Sequence, residues 1–428
     1  MKVILFAAGS DGEIHPHLGI GRALMERGHH IVFITTFNYV AAAQQCGFEV
    51  LSFLGEDEKQ DFLSSTNHLG TIAKVRSYLR FLARKAAEIC DLAASHLDEQ
   101  TLLVGPPFFY VIARLLHARY GTPYASTVLV PAHLYSLKDP PAFKSLRWFS
   151  SLPYFLRKPV FQAGERLLID PFFRTLLKRP CKQMALPLPR RVISRWWYSP
   201  QKIVALFYDW FSPAPEDWPD QIAFAGFPLF HPVADSQLSV GLSHFLNAGP
   251  PPIVFNPGTE TQNPRLFFQA TLAAVQKLGA RGVFLTRFAD QLPDLPETVW
   301  HETYTSLPQL LPRASALVHH GGIGTIALAL QAGLPQLVLP TWTDQLDNGQ
   351  RVERLGCGLV QLAPFDTDAL TTKLHHLLTS SQVQQACRSI QPQIEPGETV
   401  CGRIAEILQQ EFDRQSSHRP GAAAPENP

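Results

Sequence analysis

The sequence predicts an α/β protein built as two doubly wound parallel-sheet domains of the Rossmann-like kind, facing each other across a cleft. Three observations carry that expectation. Short apolar runs alternate with stretches of helical spacing from the first residues onward, and such alternation makes parallel sheets with helices on both faces. The alternation breaks between His231 and Pro252, where Pro, Gly, Ser and Asp dominate, and then restarts. With 428 residues, 46% hydrophobic and 17% charged, the chain carries apolar material for two ordinary cores.

Taken in order, Lys2 to Ala8 reads as a buried strand, Leu18 to Arg27 as a helix stopped by Gly28, and Ile31 to Thr35 as a second strand. This βαβ start implies a parallel sheet. Leu102 to Val104 and Tyr124 to Val130 add strands to it. After the break, Ile253 to Phe255 opens a second sheet, a helix covers Leu266 to Leu278, and Gly282 to Thr286 and Ala316 to Val318 follow as strands. The expected division is a first domain over 1–235, a linker over 236–251, a second domain with a terminal helix over 252–414, and a disordered tail over 415–428, which has no apolar anchor. Ligands of such sheets gather at the carboxyl ends of the strands, so facing sheets would place two substrates in the cleft between domains.

Composition narrows the function classes. A net charge of +1 supplies no general attraction to nucleic acid. Six scattered cysteines without a C-x-x-C pair read as buried thiols of a reducing compartment rather than as a disulfide frame or zinc site. The N-terminal apolar run is too short for a signal peptide, and no stretch has the length and purity of a membrane span. The expected place is the cytosol, with peripheral contact at the inner face of the cytoplasmic membrane.

The densest signal is VHHGGIGTIALALQAGLPQLVLPTWTDQLDN, from Val318 to Asn348. Its first half leads from a strand end through His319 and His320 into Gly321, Gly322 and Gly324, with a helix starting near Thr325. Unpaired N–H groups and the positive end of a helix dipole then converge on one spot, which suits a diphosphate. Its second half reads as a strand ending in a polar loop where Asp344 and Gln345 can accept and donate hydrogen bonds to sugar hydroxyls. A glycine turn alone is weak, but this ordered run is specific.

The run from Tyr304 through HHGGIGT, GLPQLVLP, DQLDN and RLGCG resembles the donor signature of the family 1 glycosyltransferases of the GT-B fold, which move a sugar from a nucleoside diphosphate to an acceptor. Within that family the likeness runs to the rhamnosyltransferase catalytic subunits of rhamnolipid synthesis and, more loosely, to sterol glucosyltransferases. It extends through SPQKIVALFYDWFSPAPEDWPDQIAFAGFPLF, from Ser199 to Phe230. The resemblance implies that His320, with Gly322, Gly324 and Thr325, meets the diphosphate, that Thr259 and Thr286 offer hydroxyls to it, that Tyr304 stacks on the base, and that Asp344 and Gln345 hold the sugar. The ribose-gripping Glu of plant members falls on Leu328, so ribose recognition differs here.

The loop Gly9-Ser10-Asp11-Gly12-Glu13-Ile14-His15-Pro16 sets ionisable groups at the end of the first strand, where glycines let a ligand approach the backbone. It is similar to the loop that carries the general base in family 1 enzymes, and the base falls on Glu13, with His15 as an acceptor contact. Plant enzymes orient a catalytic His with a buried Asp, but the matching region, Val104 to Phe108, has no carboxylate; this favours Glu13. By resemblance the reaction is an inverting transfer of a hexose or deoxyhexose from a dTDP- or UDP-sugar to a lipid-like hydroxyl, such as that of a hydroxy fatty acid ester. It needs no cofactor, and no acidic D-x-D cluster stands near the motifs to hold a metal. A sterol acceptor, a sugar-nucleotide epimerase and a non-catalytic nucleotide-sugar-binding partner remain as alternatives.

The bland readings are structural. His319, facing away from His320 along a strand, is a core histidine; Thr286 and Asp344 are capping residues; Asp11 is a solvated turn residue. Finally, Phe143 to Trp197 carries twelve Lys and Arg against Glu165 and Asp170 alone, interleaved with aromatics. That composition suits an anionic membrane surface or a solvated helical face.

Overall fold

The computed structural model describes residues 1–56, 58, 71–106, 109–143, 147–231, 237–258, 265–341 and 344–417. Thirteen strands form two sheets among them. The first holds β1 (Lys2–Phe6), β2 (His30–Thr35), β3 (Glu49–Ser52), β4 (Thr101–Gly105), β5 (Tyr124–Val128), β6 (Lys202–Ala205) and β7 (Ile222–Phe224) in the order β3-β2-β1-β4-β5-β6-β7. The second holds β8 (Ile253–Asn256), β9 (Gly282–Leu285), β10 (Val299–Glu302), β11 (Ala316–His319), β12 (Gln336–Val338) and β13 (Gly358–Val360) in the order β10-β9-β8-β11-β12-β13. Every pairing in both sheets is parallel. The helices of eight or more residues are α1 (Asp11–Met25), α2 (Thr71–Ala94), α3 (Tyr110–Tyr120), α4 (Tyr154–Gly164), α5 (Asp170–Gln183), α6 (Val240–Asn247), α7 (Arg265–Leu278), α8 (Ile323–Gln331), α9 (Gln345–Arg354), α10 (Thr367–Thr379), α11 (Ser381–Ile390) and α12 (Gly397–Ser417).

Strands covered on both faces read as unbroken apolar runs, and Val3 to Phe6 and Ala316 to Val318 are wholly buried. A helix starts within a few residues of the ends of β1 and β11. This double βα crossing places the glycine-rich turn and the first loop on facing edges, as parallel-sheet connectivity requires.

Three boundaries differ from the sequence reading. Helix α1 begins at Asp11, so the expected loop is largely a first helical turn. Ser10 is its N-cap and Glu13 closes a capping box, the S-x-x-E pattern that marks a helix start. The expected linker 236–251 contains α6, whose Leu242, Phe245 and Leu246 are buried on the second domain; Phe245 lies 5.9 Å from Trp300. Its N-cap Ser239 accepts from the Leu242 N–H at 3.1 Å. The terminal helix α12 crosses back onto the first domain, where Val400, Cys401, Ile404, Ala405 and Leu408 share a core with Ile14 and Leu18 of α1. A Cβ on Gly19 would stand 2.9 Å from the Cys401 sulfur, so that glycine permits the close crossing. Residues 418–428, most of the expected tail, lie outside the described residues. All six cysteines are free thiols.

A second seam joins the domains at Arg351 on α9, which is 2% exposed. Its guanidinium donates to Asp347 Oδ2 at 2.8 Å, to Ser212 Oγ at 2.6 Å and to Asp139 Oδ2 at 3.1 Å. Asp347 also accepts from the Ala142 N–H at 3.1 Å. Removing one member of such a buried, hydrogen-bonded pair strands the other charge. Arg351→Ala is therefore expected to lower the unfolding free energy by about 3 kcal/mol or more, measured by denaturant titration; a loss no larger than that of an exposed arginine would remove this seam from the stability of the fold.

Candidate functional site

The glycine-rich turn leads from the end of β11 directly into the start of α8. His319 ends β11, Gly321 takes a φ of +98°, and Gly322 is the N-cap of α8. Gly322 has no side chain to cap the helix, so the first-turn N–H groups, including those of Gly324 and Thr325, point out of its positive end. A Cβ at Gly324 would meet nothing within 4 Å, which leaves open space beside that turn.

His320 is clamped between two glycines. A Cβ on Gly258 would lie 2.8 Å from its Nδ1, and one on Gly322 would lie 2.6 Å from its Nε2. Among the described residues the buried Nδ1 atom has no hydrogen-bond partner, a costly condition for a polar atom unless a ligand meets it. Burial holds the imidazole below the ordinary histidine range, opposed by the Asn256 backbone and by Asp344. His319 behaves differently. Its Nδ1 accepts from the Gly321 N–H at 3.1 Å and its Nε2 donates to Gln336 Oε1 at 3.0 Å, so it fixes the turn as a neutral core histidine. Burial first, then the neighbouring His320, pushes its pKa to about 3, against the Gln336 bond.

The second half of the motif is joined to the first by Asn348, whose Nδ2 donates to the Gly321 carbonyl at 3.1 Å and to Asp344 Oδ2 at 3.2 Å. Asp344 is the N-cap of α9 but makes no side-chain cap bond. Gln345 turns its Oε1 back to accept from the Thr341 N–H at 2.8 Å and its hydroxyl at 3.2 Å. Of the other expected donor contacts, Thr286 acts as a strand-end cap, its Oγ1 accepting from the Phe288 N–H at 3.1 Å. Thr259 lies outside the described residues.

Across the cleft, Glu13 Oε2 accepts from the Ser10 N–H at 3.3 Å. It lies so close to Gly9 that a Cβ there would stand 1.5 Å away, which explains a glycine at that position. His15, one turn after Asp11 on α1, is largely buried, with its Nε2 3.9 Å from Asp11 Oδ1 and its ring 5.4 Å from that of His231. His231 Nε2 in turn lies 2.9 Å from the Tyr304 hydroxyl. Tyr304 is 59% exposed and stands opposite the first loop. Burial lowers the His15 pKa, with Asp11 opposing and His231 adding to the shift. Asp11, expected to be a solvated turn residue, instead accepts from the Tyr39 hydroxyl at 3.0 Å and faces His15. His231 and His133 were not singled out by sequence. His133, just beyond β5, is buried where both Asp344 and Asp347 act on it, so the carboxyl end of the first sheet faces the donor loop. Neither residue belongs to a local motif that could have found it.

Among the described residues no group of three or more His, Cys, Asp or Glu could hold a metal ion, and no helix is long and apolar enough to cross a membrane. The apolar cavity between α2, α3 and α5 encloses about 20 Å³, room for one water, and is no acceptor pocket.

Two facing parallel-sheet domains with a glycine-rich turn at the cleft define the GT-B architecture. Residues 269–396 match the family model for the C-terminal domain of erythromycin biosynthesis protein CIII-like proteins. The chain superposes on the glycotransferase of kitacinnamycin with a TM-score of 0.74 at 18% identity, covering 96% of this chain and 99% of the other. It superposes on the spinosyn rhamnosyltransferase SpnG complexed with thymidine diphosphate with a TM-score of 0.64 at 18% identity, covering 95% and 100%. In sequence it is 24% identical to O-mycaminosyltylonolide 6-deoxyallosyltransferase of Streptomyces fradiae over 98% of this chain and 100% of that one. It is 22% identical to the sterol 3-beta-glucosyltransferase UGT80B1 of Arabidopsis thaliana over 91% of this chain, but it spans only 66% of that protein. It spans 57% of the related UGT80A2.

His17 and His319 give the fold an acid limit. His17 is fully buried on α1; its Nδ1 donates to the Glu13 carbonyl at 2.6 Å and its Nε2 accepts from the Thr127 hydroxyl at 2.9 Å. Burial pushes its pKa down to about 4, against the bond to Glu13. Both folded values lie below the unfolded value of about 6.5, so the unfolded chain binds more protons and stability falls as pH drops. The loss should begin near pH 6.5 and be complete below about pH 4 for His17 and about pH 3 for His319. His17→Gln is expected to flatten the fall in melting temperature between those limits; an unchanged slope would remove His17 from it.

Proposed function

We propose that this protein is an inverting glycosyltransferase that moves a hexose or deoxyhexose from a dTDP- or UDP-sugar to the hydroxyl of an apolar, lipid-like acceptor. The observation that carries the reading is the buried, unpartnered Nδ1 of His320 beside the uncapped start of α8. A diphosphate supplies both the negative charge that a helix N-terminus favours and the oxygen that a histidine N–H requires.

In this reading the acceptor hydroxyl attacks the anomeric carbon from the face opposite the diphosphate while a base takes its proton. Glu13 is that base, held at the edge of the cleft by the same cap that starts α1. The departing diphosphate gathers charge, and His320 with the N–H groups from Gly322 to Thr325 stabilises it electrostatically. Thr286 offers its hydroxyl at the strand end, Tyr304 stacks on the base, and Asp344 with Gln345 holds the sugar. His15 lies on the acceptor side. A hydroxy fatty acid ester fits the acceptor role, and a sterol-type acceptor is favoured by the sterol glucosyltransferases among the relatives.

A second assignment of the base has its own observation: His15 is paired with Asp11, while Glu13 is engaged by the Ser10 backbone. Product formation from dTDP- and UDP-sugars with a panel of hydroxy fatty acid esters and sterols, read by mass, tests the reaction. Glu13→Gln should lower turnover about 100-fold or more with donor affinity unchanged. Near-normal turnover there, with loss in His15→Ala, would transfer the role to His15. The rate of a His15-dependent enzyme would then fall only below a pH under the ordinary histidine value, since the neutral imidazole is the base.

The donor site divides between two residues. His320→Ala should weaken binding of free dTDP or UDP about tenfold or more, read by calorimetric titration. Asp344→Ala should instead weaken the intact sugar nucleotide more than the free diphosphate, by calorimetric titration. Equal losses for both ligands in both variants would sink the division.

A further inference from the structure

Helix α4 is an unusual surface element because almost its whole circumference is exposed. Only a narrow edge packs. Arg157 donates to the carbonyls of Leu152 at 2.9 Å, Leu137 at 2.9 Å and Ser150 at 2.7 Å, and the Phe161 ring lies 4.1 Å from that of Tyr135. Arg157 is therefore a backbone clamp, not part of the charged surface. On the outward side of α4 Leu156, Val160 and Ala163 recur at i, i+4 and i+7, and Leu167 follows in the π-helical turn Glu165–Ile169 that continues the helix; all four are exposed. That spacing makes one apolar stripe. Beside it, Phe155 is 73% and Leu168 is 72% exposed. A stripe of this kind normally faces a core, and here it faces out.

Along the chain around the stripe the exposed charge has one sign. From Trp148 to Gln183 the only carboxylates are Glu165 and Asp170, and both are buried. Glu165 accepts from the Ser194 N–H at 2.8 Å and its hydroxyl at 2.7 Å. Asp170 accepts from the N–H groups of Arg191 at 2.9 Å and Val192 at 3.0 Å. Lys158, Arg166, Arg174, Lys178, Arg179 and Lys182 are all exposed. Nearby Glu216 and Asp139 are already engaged, by Lys138 and by Arg351. The surface thus combines insertable apolar side chains with positive charge that no carboxylate among the described residues pairs.

We propose that the stripe on α4 and the basic residues of α5 form a docking surface for an anionic lipid bilayer, with Phe155, Leu167 and Leu168 entering the acyl boundary and the lysines and arginines meeting the headgroups. An apolar helix face flanked by Lys and Arg is the pattern that binds in the plane of a membrane interface. A second copy of the chain is a poor occupant, because it would bring a face of the same sign against this one. The buried edge of α4 rests on Leu137 and Lys138, next to Asp139 at the interdomain seam, so the bilayer would lie beside the mouth of the cleft.

The test uses the full chain with vesicles of phosphatidylcholine alone and of phosphatidylcholine with about one third phosphatidylglycerol. Sedimentation should show binding to the anionic vesicles that weakens as salt rises, and little binding to neutral ones. Lys178→Gln, Arg179→Gln and Lys182→Gln together should reduce the anionic affinity about 100-fold and flatten the salt dependence. Phe155→Ser with Leu167→Ser and Leu168→Ser should release the protein from vesicles without altering its melting temperature. Neither set touches the cleft, so transfer to a soluble acceptor analogue should be unchanged in both; this separates failure of the docking surface from failure of the proposed reaction. Equal binding to neutral and anionic vesicles, or wild-type binding in the apolar variant, would overturn the proposal. So would a dimer in solution that the apolar variant converts to monomer.

Discussion

Placing one charged side chain out of water between two domains constrains everything at the cleft. Arg351 is buried, and its guanidinium must keep the carboxylate of Asp347, the hydroxyl of Ser212 and the carboxylate of Asp139 in reach at once. A guanidinium offers donors in a fixed planar fork, so satisfying these partners fixes an angle between α9 and the first domain, not just a distance. The Asp347 carboxylate adds a bond to the Ala142 backbone. Together with the crossing of α12 over α1 this holds the carboxyl ends of the two sheets toward each other. His133 of the first domain then comes under the influence of Asp344 on the donor loop.

The donor half is electrostatically ordered from within. His319 uses both ring nitrogens to shape the turn, and His320, the next residue on the other side of the chain, leaves one nitrogen unmatched. Adjacent histidines with opposite fates follow from the strand repeat, which sends consecutive side chains to opposite faces. Both faces of β11 are core, and only past its end does one side open. There His320 meets the start of α8, where the helix N–H groups point. Burial keeps both rings neutral, so the helix terminus, rather than an imidazolium, supplies the positive potential.

How much of this could be read in the sequence depends on the range of the interaction. The parallel sheets, the alternation of elements and the glycine-rich turn were legible because apolar periodicity and turn chemistry are local. Ser10 and Glu13 were also a local signal, a capping box, that a reading fixed on ionisable groups took for a loop. Helix α6 was hidden by the composition around it, although Ser239 and the spacing of Leu242, Phe245 and Leu246 mark it. The Arg351 seam and the His15–His231–Tyr304 series were not legible. Arg351 meets Asp139 and Ser212 from the other domain, and His15 meets His231 from the far end of its own domain; no window along the chain contains both members of these contacts. Arg157 shows the opposite error, since composition placed it with the surface charges and geometry makes it a clamp.

The same side chains serve the fold and the candidate site, and this sets how a substrate must be received. Asp344 already accepts from Asn348, and Gln345 already accepts from Thr341. In the proposed reaction, a sugar hydroxyl reaching Asp344 would share a carboxylate whose orientation is fixed. It does not have to recruit a mobile one, so the entropy of ordering that side chain is spent during folding. Glu13 is held in the same way by the Ser10 backbone. Fixed carboxylates on both sides of the cleft can act in concert only if the domains hold their separation. The buried Arg351 contacts that join the domains are thus a condition for the geometry of the donor and acceptor sides alike, although Arg351 belongs to neither.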